Sequence, residues 1–226
     1  AQVLLESVAL ERKPVSPNGL AFVSGQVGVA KSAAEPVLKA LAEAKLPPSA
    51  VRRLTCFLNS LEHIGDAQSS IAAAFPSVPA SFVQLRRDST GDFVECESVA
   101  SLESPPSDSP QLLGSIKGRY SQVAVVGPGL LVLTGVQLGF GAEASDIRLA
   151  FERLKRTLEG IRASPDTVVF SNIYPLSNGA AEQIRKTRLE FWNADRPPAS
   201  TLLLFEGLSS PDATFGIEAV AVPRPR

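Results

Sequence analysis

Near the C-terminus Phe215, Ile217, Ala219 and Ala221 alternate with Thr214, Gly216, Glu218, Val220 and Val222. This period of two predicts a strand with one apolar face and one mixed face that carries a carboxylate. Ahead of it stand Pro197-Pro198-Ala199-Ser200, a first apolar strand, and the turn-forming run Gly207-Leu208-Ser209-Ser210-Pro211-Asp212. The same arrangement occurs earlier in the chain. Val78-Pro79-Ala80-Ser81 leads through the polar run Arg87-Asp88-Ser89-Thr90-Gly91-Asp92 to Phe93-Val94-Glu95-Cys96-Glu97-Ser98-Val99-Ala100. Each copy therefore predicts two strands joined as a hairpin by a polar turn.

The repeat extends upstream. Phe22-Val23-Ser24-Gly25-Gln26-Val27-Gly28 answers to Leu133-Thr134-Gly135-Val136-Gln137-Leu138-Gly139. The offset is 110 at Gly25 and Gly135, 119 at Pro79 and Pro198, and 121 at Glu97 and Glu218. It drifts in one direction, as short loop insertions in the second copy would make it. A period this long is not a solenoid repeat, so the pattern predicts two domains of one fold.

Taken in order, residues 1–20 are mixed and interrupted by Pro14 and Pro17, and the Asn18-Gly19 turn feeds a strand over 20–23. Val37, Leu38 and Leu41 share one helical face, with Pro36 in the first turn and Pro47-Pro48 as the stop. A buried strand follows over 51–58, then a second helix with Ile64, Ala67, Ile71, Ala74 and Phe75 on one side. Three prolines and three serines in 104–110 exclude a helix or an inner strand there. The predicted domains are 1–103 and 117–226, with a linker over 104–116. The second copy opens at Arg119-Tyr120-Ser121-Gln122-Val123-Ala124, turns at Gly127-Pro128-Gly129 and enters a strand over 130–134. Ile147, Phe151, Leu154, Leu158 and Ile161 mark its first helix. A strand over 168–174 and a helix marked by Ala180, Ile184, Thr187 and Phe191 come next. The predicted class is α/β (α+β), each domain a mainly antiparallel sheet with two helices on one face. The other face is half apolar, carries Glu97 or Glu218, and has no helix left to cover it. Such a face predicts an interface.

Composition narrows the choice of partner. The chain has 226 residues and a net charge of −1, which gives no reason to expect a nucleic acid. No apolar run is long enough for a membrane span. The basic groups Arg52-Arg53, Arg86-Arg87 and Arg185-Lys186-Arg188 are interleaved with acids and read as solvated faces. Cys56 and Cys96 make no disulfide framework and are expected as buried free thiols. His63 is the only histidine and starts a helix, so it reads as a surface or capping residue. No cluster of ligands has metal spacing, and neither metal nor cofactor is expected. The chain has no methionine. The expected location is the cytoplasm, the alternative being export after removal of a signal peptide.

These residues resemble the Rid family, also called YjgF/YER057c/UK114 or "endoribonuclease L-PSP". The likeness rests on Tyr120-Ser121, Leu133-Thr134-Gly135, Pro198-Ala199 and Ile217-Glu218-Ala219-Val220-Ala221. In the first copy it rests on Val23-Ser24-Gly25-Gln26, Pro79-Ala80 and Glu95-Cys96-Glu97-Ser98-Val99-Ala100. The resemblance implies tandem chorismate-mutase-like domains, trimeric assembly, sites between neighbouring subunits, and hydrolysis of enamines and imines. It also brings in a ribonuclease reading by name. The deaminating members carry arginine directly after Pro-Ala, where it holds the substrate carboxylate. Here the residue is Ser81 in one copy and Ser200 in the other. A serine hydroxyl supplies neither the charge nor the fork of a guanidinium. The cysteine often found two residues later is Val83 or Leu202, the loop after Gly25 is short, and the tyrosine survives only as Tyr120.

The candidate general acid–bases are Glu218 and Glu97, and the candidate ligand-binding residues are Tyr120, Thr134, Ser200, Ser24 and Ser81. The other reading, favoured by the missing arginine, makes the glutamates interface residues paired with an arginine or backbone amides of a neighbour. The expected function is binding of a small metabolite, or divergent hydrolysis, at clefts between subunits of a trimer of chains. The alternative is a structural or regulatory module without catalysis, and a ribonuclease stands third. A cleft with room for a metabolite favours the first, a cleft filled by side chains the second.

Overall fold

The structure is a computed structural model and describes residues 16–86 and 91–224. The expectations for Pro14 and for most of the 87–92 turn lie outside the described residues.

The first copy contains β1 (Leu20–Gly28), α1 (Ala34–Glu43), β2 (Val51–Leu58), α2 (Ile64–Ala74), β3 (Ala80–Gln84) and β4 (Val94–Ser101). The second contains β5 (Gln111–Leu113), β6 (Val123–Val126), β7 (Val132–Leu133), β8 (Gln137–Gly139), α3 (Ala144–Glu159), β9 (Val168–Pro175), α4 (Asn178–Thr187), β10 (Ala199–Leu202) and β11 (Phe215–Ala221). Each helix buries the face its spacing predicts. Val37 and Leu41 of α1 and Ala67 and Ile71 of α2 close one core. Ile147, Phe151, Leu154 and Leu158 of α3 close the other. A capping box between Glu143 and Asp146 starts α3 by supplying acceptors to orphan N–H groups. Ile161 falls beyond the end of α3 and is exposed, whereas Phe191, just past α4, stacks on Phe151.

Two sheets form, in the orders β3-β2-β4-β1-β6-β5 and β10-β9-β11-β7, with β8 also on β11. Two expectations change here. The repeated strand pairs are not hairpins, because β2 lies between β3 and β4, and β9 between β10 and β11. β3 runs parallel to β2, and β10 parallel to β9, each after a crossover through a helix. The second change concerns the segment between the copies. Gln111–Leu113, expected as linker, is an edge strand, and β6 pairs with β1 of the first copy, Leu20 facing Val126 and Val23 facing Val123. Val123 and Val125 then enter the core under α1 and α2. The second copy thus lends a hairpin to the first copy's sheet.

Phe215, Ile217, Ala219 and Ala221 lie under α3 and α4, as their alternation predicts. The opposite faces of the two sheets meet each other within the chain. Phe22 stacks on Phe170 at 5.8 Å between ring centres, and Ala124, Val126 and Ala199 are buried around them. Val99, Val220 and Val222 pack against this group. The uncovered faces of the two copies cover one another, which removes apolar area from water.

Cys56 and Cys96 are a correction. They are not free thiols but form a disulfide. The register places them directly opposite on the antiparallel strands β2 and β4, with Cα atoms 4.1 Å apart and both side chains fully buried. Their sequence separation of 40 residues gave no hint of that register.

Candidate functional site at the junction of the two copies

The junction has an apolar half, built around Phe22 and Phe170, and a polar half. The polar half follows from strand alternation. On β4, Val94 and Cys96 point to the helices, so Glu95 and Glu97 point to the other copy. On β11, Glu218 takes the same side as Val220, and on β9 Asn172 faces Glu218 across the ladder.

At the centre, strand β1 meets strand β10. The backbone N–H of Ser200 donates to Ser24 Oγ at 2.9 Å, and Ser24 Oγ donates to the carbonyl of Ser121 at 2.6 Å. Ser171 Oγ donates to Ser200 Oγ at 3.1 Å. Gly25 N–H donates to Thr201 Oγ1 at 3.1 Å, and that hydroxyl donates to Glu97 Oε2 at 2.7 Å. Ser24, Ser200 and Thr201 are all buried. Gly25 is needed here: a Cβ on it would stand 1.8 Å from Glu95 Oε1.

Beside this closed centre, Glu97, Asn172, Tyr174 and Glu218 are half-buried and reach solvent. Tyr174 Oη donates to Glu218 Oε1 at 2.5 Å. Burial first, and the charge of Glu218 second, raise the Tyr174 phenol far above its ordinary range. Burial lifts Glu97 to about 7, against hydrogen bonds from Thr201 and Asn172 and the charge of Arg53. Burial and the neighbouring Glu97 lift Glu95 to about 7. Aromatic rings border the group: Tyr174 and Phe205 meet edge to face at 5.0 Å, and Phe57 and Phe205 at 5.9 Å.

The structure sorts the sequence candidates into those it gathers and those it does not. Ser24, Ser200, Glu97 and Glu218 meet at this junction. Tyr120 does not; it lies near Arg188, whose pKa burial lowers. Thr134 Oγ1 accepts from the backbone N–H of Ala219, and its own N–H donates to the Ala219 carbonyl, so it prolongs the pairing of β7 with β11. Ser81 lies on the edge strand β3, in register with Thr55. His63 stands at the N-cap of α2 without a side-chain capping bond. Sequence reasoning missed Glu95, Asn172, Tyr174 and Thr201. A signal existed in β9, where Asn172 and Tyr174 are polar positions at a spacing of two, on one face of the strand. A cavity of about 430 Å³, lined by Pro48, Val51, Arg52, Phe75 and Pro79, lies away from the junction. Among the described residues no group of three or more His, Cys, Asp or Glu is placed to hold a metal ion. None of the described helices is long and apolar enough to cross a membrane.

No family model matches the chain, and no curated protein matches it. Solved structures do. A YjgF/YER057c/UK114 family member from Mycobacterium tuberculosis is 24% identical, with 41% of this chain and 79% of that chain covered and a TM-score of 0.38. A YjgF family protein from Neisseria meningitidis is 21% identical, with 51% and 96% covered and a TM-score of 0.40. A Rid family protein from Yersinia pestis is 22% identical, with 52% and 93% covered and a TM-score of 0.41. Each spans about half of this chain. The chain is similar to these structures over about half its length.

Proposed function

We propose that this protein binds a small metabolite at the junction between its two copies and does not deaminate imines. One observation carries the reading: half-buried Glu97 from one copy meets half-buried Asn172, Tyr174 and Glu218 from the other, beside a buried hydrogen-bonded centre. Convergent polar groups with aromatic neighbours at a domain boundary are what a small-molecule site needs. The residue after Pro198-Ala199 argues against the deaminase. Ser200 brings no charge, its N–H is bonded to Ser24 and its hydroxyl to Ser171. A substrate carboxylate therefore finds no guanidinium at that position, and the carboxyls of Glu97 and Glu218 stand nearby. The same acidity disfavours a phosphate backbone and with it the ribonuclease reading.

The test is ammonia release from imino acids generated in place by an amino-acid oxidase. The expected rate equals that of the protein-free control. Release well above that control overturns the proposal. A metabolite extract examined for ligand broadening in NMR checks the binding half.

A second reading has support of its own. Ser24, Ser200 and Thr201 fill the centre of the junction with the protein's own side chains. An interaction module without a ligand would look the same there. No broadened metabolite in the extract favours it.

A further inference from the structure

Arg188 directly follows α4 and is only 5% exposed, a rare degree of burial for a guanidinium. Its Nε is buried and has no hydrogen-bond partner. The carboxylates that neighbour it in sequence are engaged elsewhere. Glu182 pairs with Arg185 at 2.5 Å, Glu190 takes Arg148 through two hydrogen bonds of 2.7 Å, and Asp195 pairs with Lys117 at 2.9 Å. Burial first, then the like charges of Arg185 and Arg119, lower the Arg188 pKa to about 10.

The course of the chain brings these groups together. Arg185 lies one helical turn before Arg188. The loop that carries Arg119 and Tyr120 is laid against the segment after α4. Gly118 N–H donates to the Ala194 carbonyl at 2.9 Å, and a Cβ on Gly118 would stand 3.8 Å from Leu189 Cδ1. Ile116 and Tyr120 pair across this loop, which holds Arg119 and half-buried Tyr120 beside Arg188. One turn beyond Arg188, Trp192 is 3% exposed, and its Nε1 is a second buried donor without an acceptor.

Basic residues at a helix C-terminus meet its negative end, which accounts for exposed Arg185 and Lys186. It does not account for a guanidinium taken out of water with two other arginines around it. An unpaired buried charge is costly, and an anion removes that cost. With Arg185 matched by Glu182, Arg188 and Arg119 leave two positive charges. A single carboxylate balances one of them, whereas a phosphoryl group carries up to about two negative charges near neutral pH. Guanidinium groups also fit its oxygens through forked hydrogen bonds.

We propose that this cluster is an anion site for a phosphoryl group, as inorganic phosphate or a small phosphate monoester, bound by Arg188 and Arg119 with the Tyr120 hydroxyl as a further donor. None of its residues belongs to the carboxyl group of the junction, so it is independent of the small-molecule reading there.

The probes are inorganic phosphate and phenyl phosphate, with acetate as the control, each at matched ionic strength in sodium chloride. Phosphorus NMR and thermal unfolding of the full chain are the readouts. The expected result is saturable line broadening and a rise in melting temperature with phosphate, and no rise with acetate. Tighter binding of phenyl phosphate than of inorganic phosphate marks a monoester site, and the reverse marks a site for the free ion. Arg188→Gln and Arg119→Gln, each checked for folding by circular dichroism, should weaken binding at least about tenfold. Arg119 is exposed, so its variant carries the test if Arg188→Gln fails to fold. No saturable response to either phosphate overturns the inference, and so does undiminished binding in the folded variants. Equal stabilisation by acetate overturns the phosphoryl assignment. The metabolite-extract experiment judges the junction separately, through variants at Glu97 and Glu218.

Discussion

At the residue scale the strongest statement concerns carboxyls held near neutrality. Glu95 and Glu97 both sit at about 7, against an ordinary value of 4.5. A carboxyl raised on folding holds its proton over a range where the unfolded chain has lost it. The folded state therefore binds more protons between pH 4.5 and about 7, and stability falls as pH rises through that window. Above it the loss is complete and the curve flattens. Across the window each carboxyl costs at most about 3 kcal/mol of stability. Glu97→Gln removes one of the two costs and also relieves Glu95 of its neighbour's charge. The expected outcome is a higher melting temperature than wild type at pH 8 and a shallower fall between pH 5 and 7. A variant curve parallel to wild type would show that Glu97 is not the group responsible. Alternation made Glu97 and Glu218 legible in the sequence, because a carboxylate in a repeated apolar strand stands out. Tyr174 and Asn172 left only the faint signal of polar positions two apart in β9, and their meaning appears once another sheet is laid across them. The disulfide was hidden for a related reason: a pairing of Cys56 with Cys96 depends on the register of two strands, which their own patterns do not fix.

At the element scale the four α-helices follow from periodicity, because each buries one face and the sequence marks it. Which sheet a strand joins does not follow. Val123–Val126 is apolar on both sides, so its pattern fits any slot with two covered faces. The chain places it next to β1, where Val123 and Val125 face the first copy's helices and Ala124 and Val126 face the junction. A cross-copy strand makes a direct prediction. Val123→Ala deletes two methyl groups from the first core, although the residue belongs to the second repeat. A loss of about 1–2 kcal/mol is expected from transfer and cavity terms. Hydrogen exchange should report it in β1 and β4 as much as in β6 itself. Faster exchange limited to the second copy would contradict the observed pairing.

At the scale of the whole molecule, the two copies cover each other's open faces. The cover is not complete. On the second copy Leu133 is 54% exposed, Val136 41% and Phe140 50%, with Leu130 at 75% beside them. β7 has β11 on one side, and β6, its neighbour in sequence, is engaged with β1 instead. An exposed strand edge beside exposed large apolar side chains favours association. The corresponding stretch of the first copy, Ser24-Gly25, is hydrogen-bonded to β10 of the second. By the repeat, Thr134-Gly135 offers a second chain the same kind of surface. We propose that chains associate through this edge, and that closure into a ring of three satisfies every copy of it. Light scattering on the wild type should then give three times the chain mass. Leu133→Asp places a charge on the exposed edge without entering either core, so it should return the mass to that of one chain while the circular dichroism spectrum and the buried Cys56–Cys96 disulfide stay unchanged. A wild type that scatters as a single chain at all concentrations would sink the assembly. It would leave the junction intact, because both of its walls come from one chain.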